Sequence, residues 1–261
     1  MNRARQILSL CQPEFDAPDA AQVDQARMQS ALHDGVAHWL FCPMHYESNY
    51  AYPLVVWLHG AGDDEQQLRR IMPLVSMRNY VAVAPRGTAA LSDEPTAARR
   101  FGWPQTDEDI LLAEQRVHQC VHLARQKFHI AADRVFLAGF DAGGTMAYRV
   151  ALAQPDRFAG VAALCSAFPS DRTPLATLHS ARRLPLLVVH GRQSGRFPTD
   201  ALCSDLRLFH TAGMSITVRQ YPCGHQITPR MLSDMDAWLM AQITGVSTLD
   251  DSSSLVIDQN N

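Results

Sequence analysis

Gly139-Phe140-Asp141-Ala142-Gly143-Gly144 follows an apolar run, Val135 to Ala138, and leads into Thr145 to Ala153, a stretch of helical character. The run reads as a buried strand and the glycines as a tight turn into a helix. A sharp strand–turn–helix with small residues around one functional side chain holds that side chain up at the strand's end. Here it is Asp141. A carboxylate so placed can attack an sp³ carbon and form an ester that water later hydrolyses. It can also act as a general base on water, if burial raises its pKa. Either chemistry wants a histidine nearby. His225, in the turn Pro222-Cys223-Gly224-His225, stands in a loop that could supply it.

The elements that must carry these residues are legible as alternating apolar runs and amphipathic stretches. Pro53 to Leu58 and Tyr80 to Ala84 are continuous apolar runs, as in strands buried on both faces. The first ends in the glycine-rich turn His59-Gly60-Ala61-Gly62-Asp63-Asp64, and Glu65 to Val75 then reads as a helix. Ala89 to Pro104 reads as a long polar loop. Thr106 with Asp109 three residues on predicts a helix start, and Ile110, Ala113, Val117, Val121, Ala124 and Phe128 mark that helix's apolar face. Phe158 to Leu164, Pro185 to Val189 and Ser215 to Tyr221 read as further strands. Thr199 to His210 and Ile227 to Ile243 read as helices, with Pro229 tolerated in the first turn. Strand and helix alternate, so the fold class is α/β: a mostly parallel sheet with helices on both faces. Ligands on such sheets bind beyond the carboxyl ends of the strands, which picks out the loops 59–64, 139–144, 190–198 and 222–226.

The bulk numbers agree with one such domain. The chain has 261 residues, 47% of them hydrophobic and 19% charged, enough for a sizeable core. The net charge of −3, without a long basic stretch, argues against a nucleic-acid surface. No apolar run approaches the roughly 20 residues that span a bilayer, and the N-terminus lacks the apolar core of a signal peptide, so no membrane partner and a cytoplasmic location are expected. The six cysteines, at 11, 42, 120, 165, 203 and 223, show no C-x-x-C spacing and read as reduced thiols. We expect three segments: an N-terminal appendage over 1–34, with a weak helical pattern from Val23 to Leu32; the α/β domain over 35–244; and a disordered, Ser/Asp/Asn-rich tail over 245–261.

The motifs Leu58-His59-Gly60-Ala61-Gly62-Asp63, Pro85-Arg86-Gly87, Gly139 to Gly144, Gln154 to Gly160, Val189-His190-Gly191 and Gly224-His225 occur in this order. Together they resemble the α/β-hydrolase superfamily, in its carboxylesterase/phospholipase-like and dienelactone-hydrolase-like branch, over about residues 36 to 243. The resemblance implies a nucleophile, an acid and a histidine in that chain order, with two backbone N–H groups forming an oxyanion hole. His225 matches the histidine, and Ala61 and Ala142 match the oxyanion-hole residues. Asp141 stands where the family has its serine, and Ser194 stands where the family has its acid. The connection from Cys165 to Leu184 is too short for a large cap domain.

Two departures in one triad leave three readings open. The chain is a relative with a degenerate triad (Asp141, Ser194, His225) that lacks ordinary serine-esterase activity. Or Asp141 is a nucleophile of the kind found in haloalkane dehalogenases and epoxide hydrolases, with Asp171 as a replacement acid. Or Asp141 is a general base that activates water on a carboxylic or phosphoric ester. The sequence implies no cofactor and no metal: it has no phosphate-binding glycine motif after an early strand and no ligand cluster. Ser166, His59 and His190 read as structural, and the Asp63-Asp64 pair as helix caps.

Overall fold

A computed structural model of the chain describes residues 29–33, 36–91, 100–169 and 178–245. Its frame is an eight-stranded sheet in the order β1-β2-β4-β3-β7-β8-β9-β10. The strands are β1 (Gln29–His33), β2 (Val36–Phe41), β3 (Tyr52–Leu58), β4 (Val81–Pro85), β7 (Ile130–Phe140), β8 (Gly160–Leu164), β9 (Leu186–Gly191) and β10 (Ile216–Tyr221). From β4 through β10 every pairing is parallel, while β1–β2 and β2–β4 are antiparallel. Among the described residues six α-helices connect them: α1 (Leu68–Val75), α2 (Asp107–Lys127), α3 (Ala142–Ala153), α4 (Leu178–Ala181), α5 (Thr199–Ala212) and α6 (Pro229–Thr244).

The alternation within β3 explains its unbroken apolar run. Leu54, Val56 and Leu58 join the core that also holds Val117 and Val121 of α2, Met146 and Val150 of α3, and Phe209 of α5. Val55 and Trp57 point the other way, into a second core with Ile71 and Met72 of α1 and Met235 and Trp238 of α6. Successive side chains of a strand face opposite sides, so a strand covered on both sides must be apolar at every position.

Most expected elements stand within a residue or two of their expected bounds. Thr106 caps α2 as its sequence predicts: its Oγ1 accepts the Asp109 N–H at 3.2 Å and donates to the Asp109 carboxylate at 2.6 Å. Two readings of local structure differ. The weak helical pattern ending at Leu32 is overturned where it is described, because residues 29–33 pair antiparallel with β2 as β1. Long-range pairing outweighs weak local propensity there. The polar loop from Ala89 contains a two-residue ladder, β5 (Ala89–Ala90) with β6 (Phe101–Gly102). Most of the N-terminal appendage, all of the tail beyond Gly245, and Asp171 lie outside the described residues.

Candidate active site

Four loops meet beyond the carboxyl ends of β3, β7, β9 and β10, because parallel pairing brings those ends to one edge of the sheet. Asp141 sits between β7 and α3 with φ 54° and ψ −127°. A non-glycine residue at positive φ is strained, by about 1–3 kcal/mol, and persists only where its surroundings enforce it. Its N–H donates to Leu164 O at 3.0 Å, and its carbonyl accepts from the N–H groups of Gly144 and Thr145. The space behind the turn admits only glycine. A Cβ on Gly143 would lie 2.3 Å from the carbonyl oxygens of Leu58 and His59, and one on Gly144 would lie 1.9 Å from Ser166 Oγ.

The Asp141 carboxylate is held by three groups. The Ala61 N–H donates to Oδ2 at 3.3 Å. Arg196 Nη1 lies 3.1 Å from the same oxygen. His225 Nε2 is 3.1 Å from Oδ1, an ion-pair separation, but off the line that a hydrogen bond requires. On the far side of the ring, His225 Nδ1 is 2.9 Å from Ser194 Oγ. Ser194 is buried, and its Oγ also accepts the Phe197 N–H at 3.1 Å. His225 thus has Ser194 hydrogen-bonded at Nδ1 and the Asp141 carboxylate near Nε2 without a hydrogen bond.

The loop bearing Ala61 is braced from several sides. Gln67 Oε1 accepts from Trp57 Nε1 at 2.7 Å and from the Gly60 N–H at 3.3 Å, and Gln67 Nε2 donates to Asp63 Oδ2 at 3.0 Å. Gly62 N–H donates to Phe101 O, and Phe101 N–H to Asp63 O. The neighbouring strand end is tied in through His59, whose Nε2 accepts the Gly87 N–H at 2.8 Å while Nδ1 meets Gly60 O at 2.9 Å. Burial holds the His59 pKa below its ordinary value, in keeping with a neutral ring that accepts at Nε2. Glu65 is fully buried and takes two hydrogen bonds from Arg86. Burial alone would raise the Glu65 pKa, yet the Arg86 hydrogen bonds, helped by its charge, bring it below the usual carboxylate value. Asp64 Oδ1 accepts the Gln66 N–H at 2.8 Å, the cap expected from the sequence. His190 ties down the Ser194 loop through Nε2 and Phe197 O at 2.9 Å.

Asp141, His225, Ser194 and Ala61 therefore come together. Ala142 starts α3 beside them, and its N–H has no hydrogen-bond partner among the described residues. Arg196 was not singled out by the sequence reading. Its signal was available: a cation two residues beyond the acid position, in a loop already placed at the binding edge. Arg100, in the polar loop, is exposed. Among the described residues no group of three His, Cys, Asp or Glu side chains could hold a metal ion, and the described cysteines are free. No described helix is long and apolar enough to cross a membrane.

Comparison with known proteins gives the family. The chain is 33% identical over 156 residues to NocK of Nocardia uniformis subsp. tsuyamanensis, named as an esterase; the match covers 58% of this chain but only 42% of that protein. It is 25% identical over 219 residues to a protein of Oryza sativa subsp. japonica named as a carboxylesterase, covering 75% of this chain and 92% of that one. Among solved structures, Arabidopsis thaliana SOBER1 superposes with a TM-score of 0.63 at 20% identity, covering 74% of this chain and all of that one. A carboxylesterase from Mesorhizobium loti gives 0.64 at 19% identity, covering 82% and 98%. These structural likenesses show the α/β-hydrolase fold. Residues 46–243 match the phospholipase/carboxylesterase family model, and the chain belongs to that family.

Proposed function

We propose that this chain is a phospholipase/carboxylesterase relative that keeps the family's site for a small ester-like or acid-like molecule without ordinary serine-esterase turnover. The observation that carries this reading is the Ala61 N–H donating to Asp141 Oδ2 at 3.3 Å. In an acyl-transfer site that donor must be free for the oxyanion that forms during attack. Here the side chain at the nucleophile position occupies it.

The surroundings of His225 support the same conclusion. In a working triad the acid holds a proton on Nδ1 and leaves the Nε2 lone pair facing the nucleophile. With an anion 3.1 Å from Nε2, the favoured tautomer carries its proton there. The Ser194 hydroxyl, already accepting from Phe197, can donate to Nδ1. In that tautomer Nε2 presents an N–H rather than a lone pair on the side of Asp141, though without a hydrogen bond to it. Attack by Asp141 on an ester would moreover give a mixed anhydride, more activated than the ester it replaced and so formed uphill.

Reaction with a fluorophosphonate probe tests the reading, because such probes label activated serines. The unmodified protein should remain unlabelled, while Asp141→Ser combined with Ser194→Asp should be labelled at residue 141. Labelling of the unmodified protein at any serine would overturn it. One observation favours an aspartate nucleophile as a second reading. With Oδ2 held by Ala61, Oδ1 remains directed toward His225. That reading predicts an alkylated Asp141 peptide when His225→Ala is incubated with an epoxide or haloalkane, and a clean peptide map would eliminate it.

A further inference from the structure

Arg196 is held differently from every other group around Asp141. Its side chain is 60% exposed, whereas that of Asp141 is 12% exposed. Asp141 is its only recorded polar partner among the described residues. With its guanidinium mostly in solvent, Arg196 can exchange Asp141 for water or another partner.

Whatever displaces it must leave a mostly buried carboxylate with a cation. A simple anion could draw out Arg196, but it would then face Asp141 with like charge. A simple cation could pair with Asp141, but it would strand Arg196 and exchange one ion pair for another. A small molecule with both charges a few atoms apart exchanges both at once. Its carboxylate takes the Arg196 guanidinium, whose planar fork suits a carboxylate. Its ammonium takes Asp141 Oδ2. The Ala142 N–H, without a hydrogen-bond partner among the described residues, begins α3 directly after Asp141 and is a candidate further donor for the carboxylate.

We propose that the Asp141–Arg196 pair is an exchangeable recognition site for a small zwitterion carrying a carboxylate and a protonated amine, of the α-amino acid class. The proposal rests on the reading that Asp141 is not a turnover residue, and it names the ligand class of that site. Glycine, L-alanine, L-leucine, acetate and methylammonium are each titrated into the full-length protein, with the backbone amide resonances of Ala61, Ala142 and Arg196 followed by NMR. At least one of the three amino acids should give saturable shifts at these amides, and acetate and methylammonium should bind roughly tenfold more weakly or worse. Arg196→Gln and Asp141→Asn should each weaken amino acid binding by about tenfold or more. Binding unchanged in Arg196→Gln, acetate binding as tightly as the amino acids, or no saturable shift with any amino acid would overturn the proposal. Ester turnover by the same preparation would instead count against the parent reading, so the two failures are distinguishable.

Discussion

On the proposed reading, exchanging Asp141 and Ser194 should create serine-esterase activity. In Asp141→Ser, the serine Oγ takes the place of the aspartate Cγ, one bond back from the oxygen that lies 3.1 Å from His225 Nε2. Loss of the carboxylate frees the Ala61 N–H and releases Arg196. His225 still has only a hydroxyl at Nδ1, so nothing fixes the productive tautomer. Removal or neutralisation of the acid in serine proteases costs about 10⁴-fold in turnover. Asp141→Ser alone should therefore hydrolyse p-nitrophenyl butyrate slowly. Adding Ser194→Asp should raise kcat by roughly 10³–10⁴-fold, because an aspartate there would meet the His225 Nδ1–H and the Phe197 N–H that Ser194 meets now. The assay is initial rate against substrate concentration, with thermal unfolding to establish that each variant is folded. A folded double variant no faster than Asp141→Ser would refute the reasoning, since it would mean that Ser194 does not occupy the acid position in function.

Three further outcomes concern the scaffold around the site. Arg86→Met should cost about 3–5 kcal/mol by denaturant titration, because it strands the fully buried Glu65 carboxylate, and adding Glu65→Leu should recover most of that loss. Gly143→Ala should destabilise the protein by about 1–3 kcal/mol or prevent folding, because the added methyl meets backbone oxygens rather than a movable side chain. The pKa of His59 is lower in the folded protein than its unfolded value of about 6.5, so the unfolded chain takes up the proton first. The contribution of His59 is complete above that pH and is lost as pH falls through it; the unfolding midpoint should drop between about pH 7.5 and 5.5, and less so in His59→Gln.

The fold was legible because β3 and β4 are apolar at every position and α2 carries both its cap and its apolar face in sequence. The four loops of the site could be placed because parallel strands send their carboxyl ends to one edge. β1 was not legible: its local pattern leaned toward helix, and only its pairing with β2 makes it a strand. Asp141, His225 and Ser194 were legible as positions. Their relations were not, because a side-chain ion pair such as Arg196–Asp141 joins residues far apart in sequence and depends on loop shape. Nor could the sequence reveal that the Asp141 carboxylate reaches back onto the Ala61 N–H, which follows from the backbone at φ 54°.

The central claim is that Asp141 fills the oxyanion donor and leaves the site without ester turnover. The most direct measurement is the initial rate of p-nitrophenyl butyrate hydrolysis by the unmodified protein beside Asp141→Asn and His225→Ala. The account predicts that all three rates coincide with the buffer blank. A rate above the blank in the unmodified protein, abolished in Asp141→Asn, would contradict it.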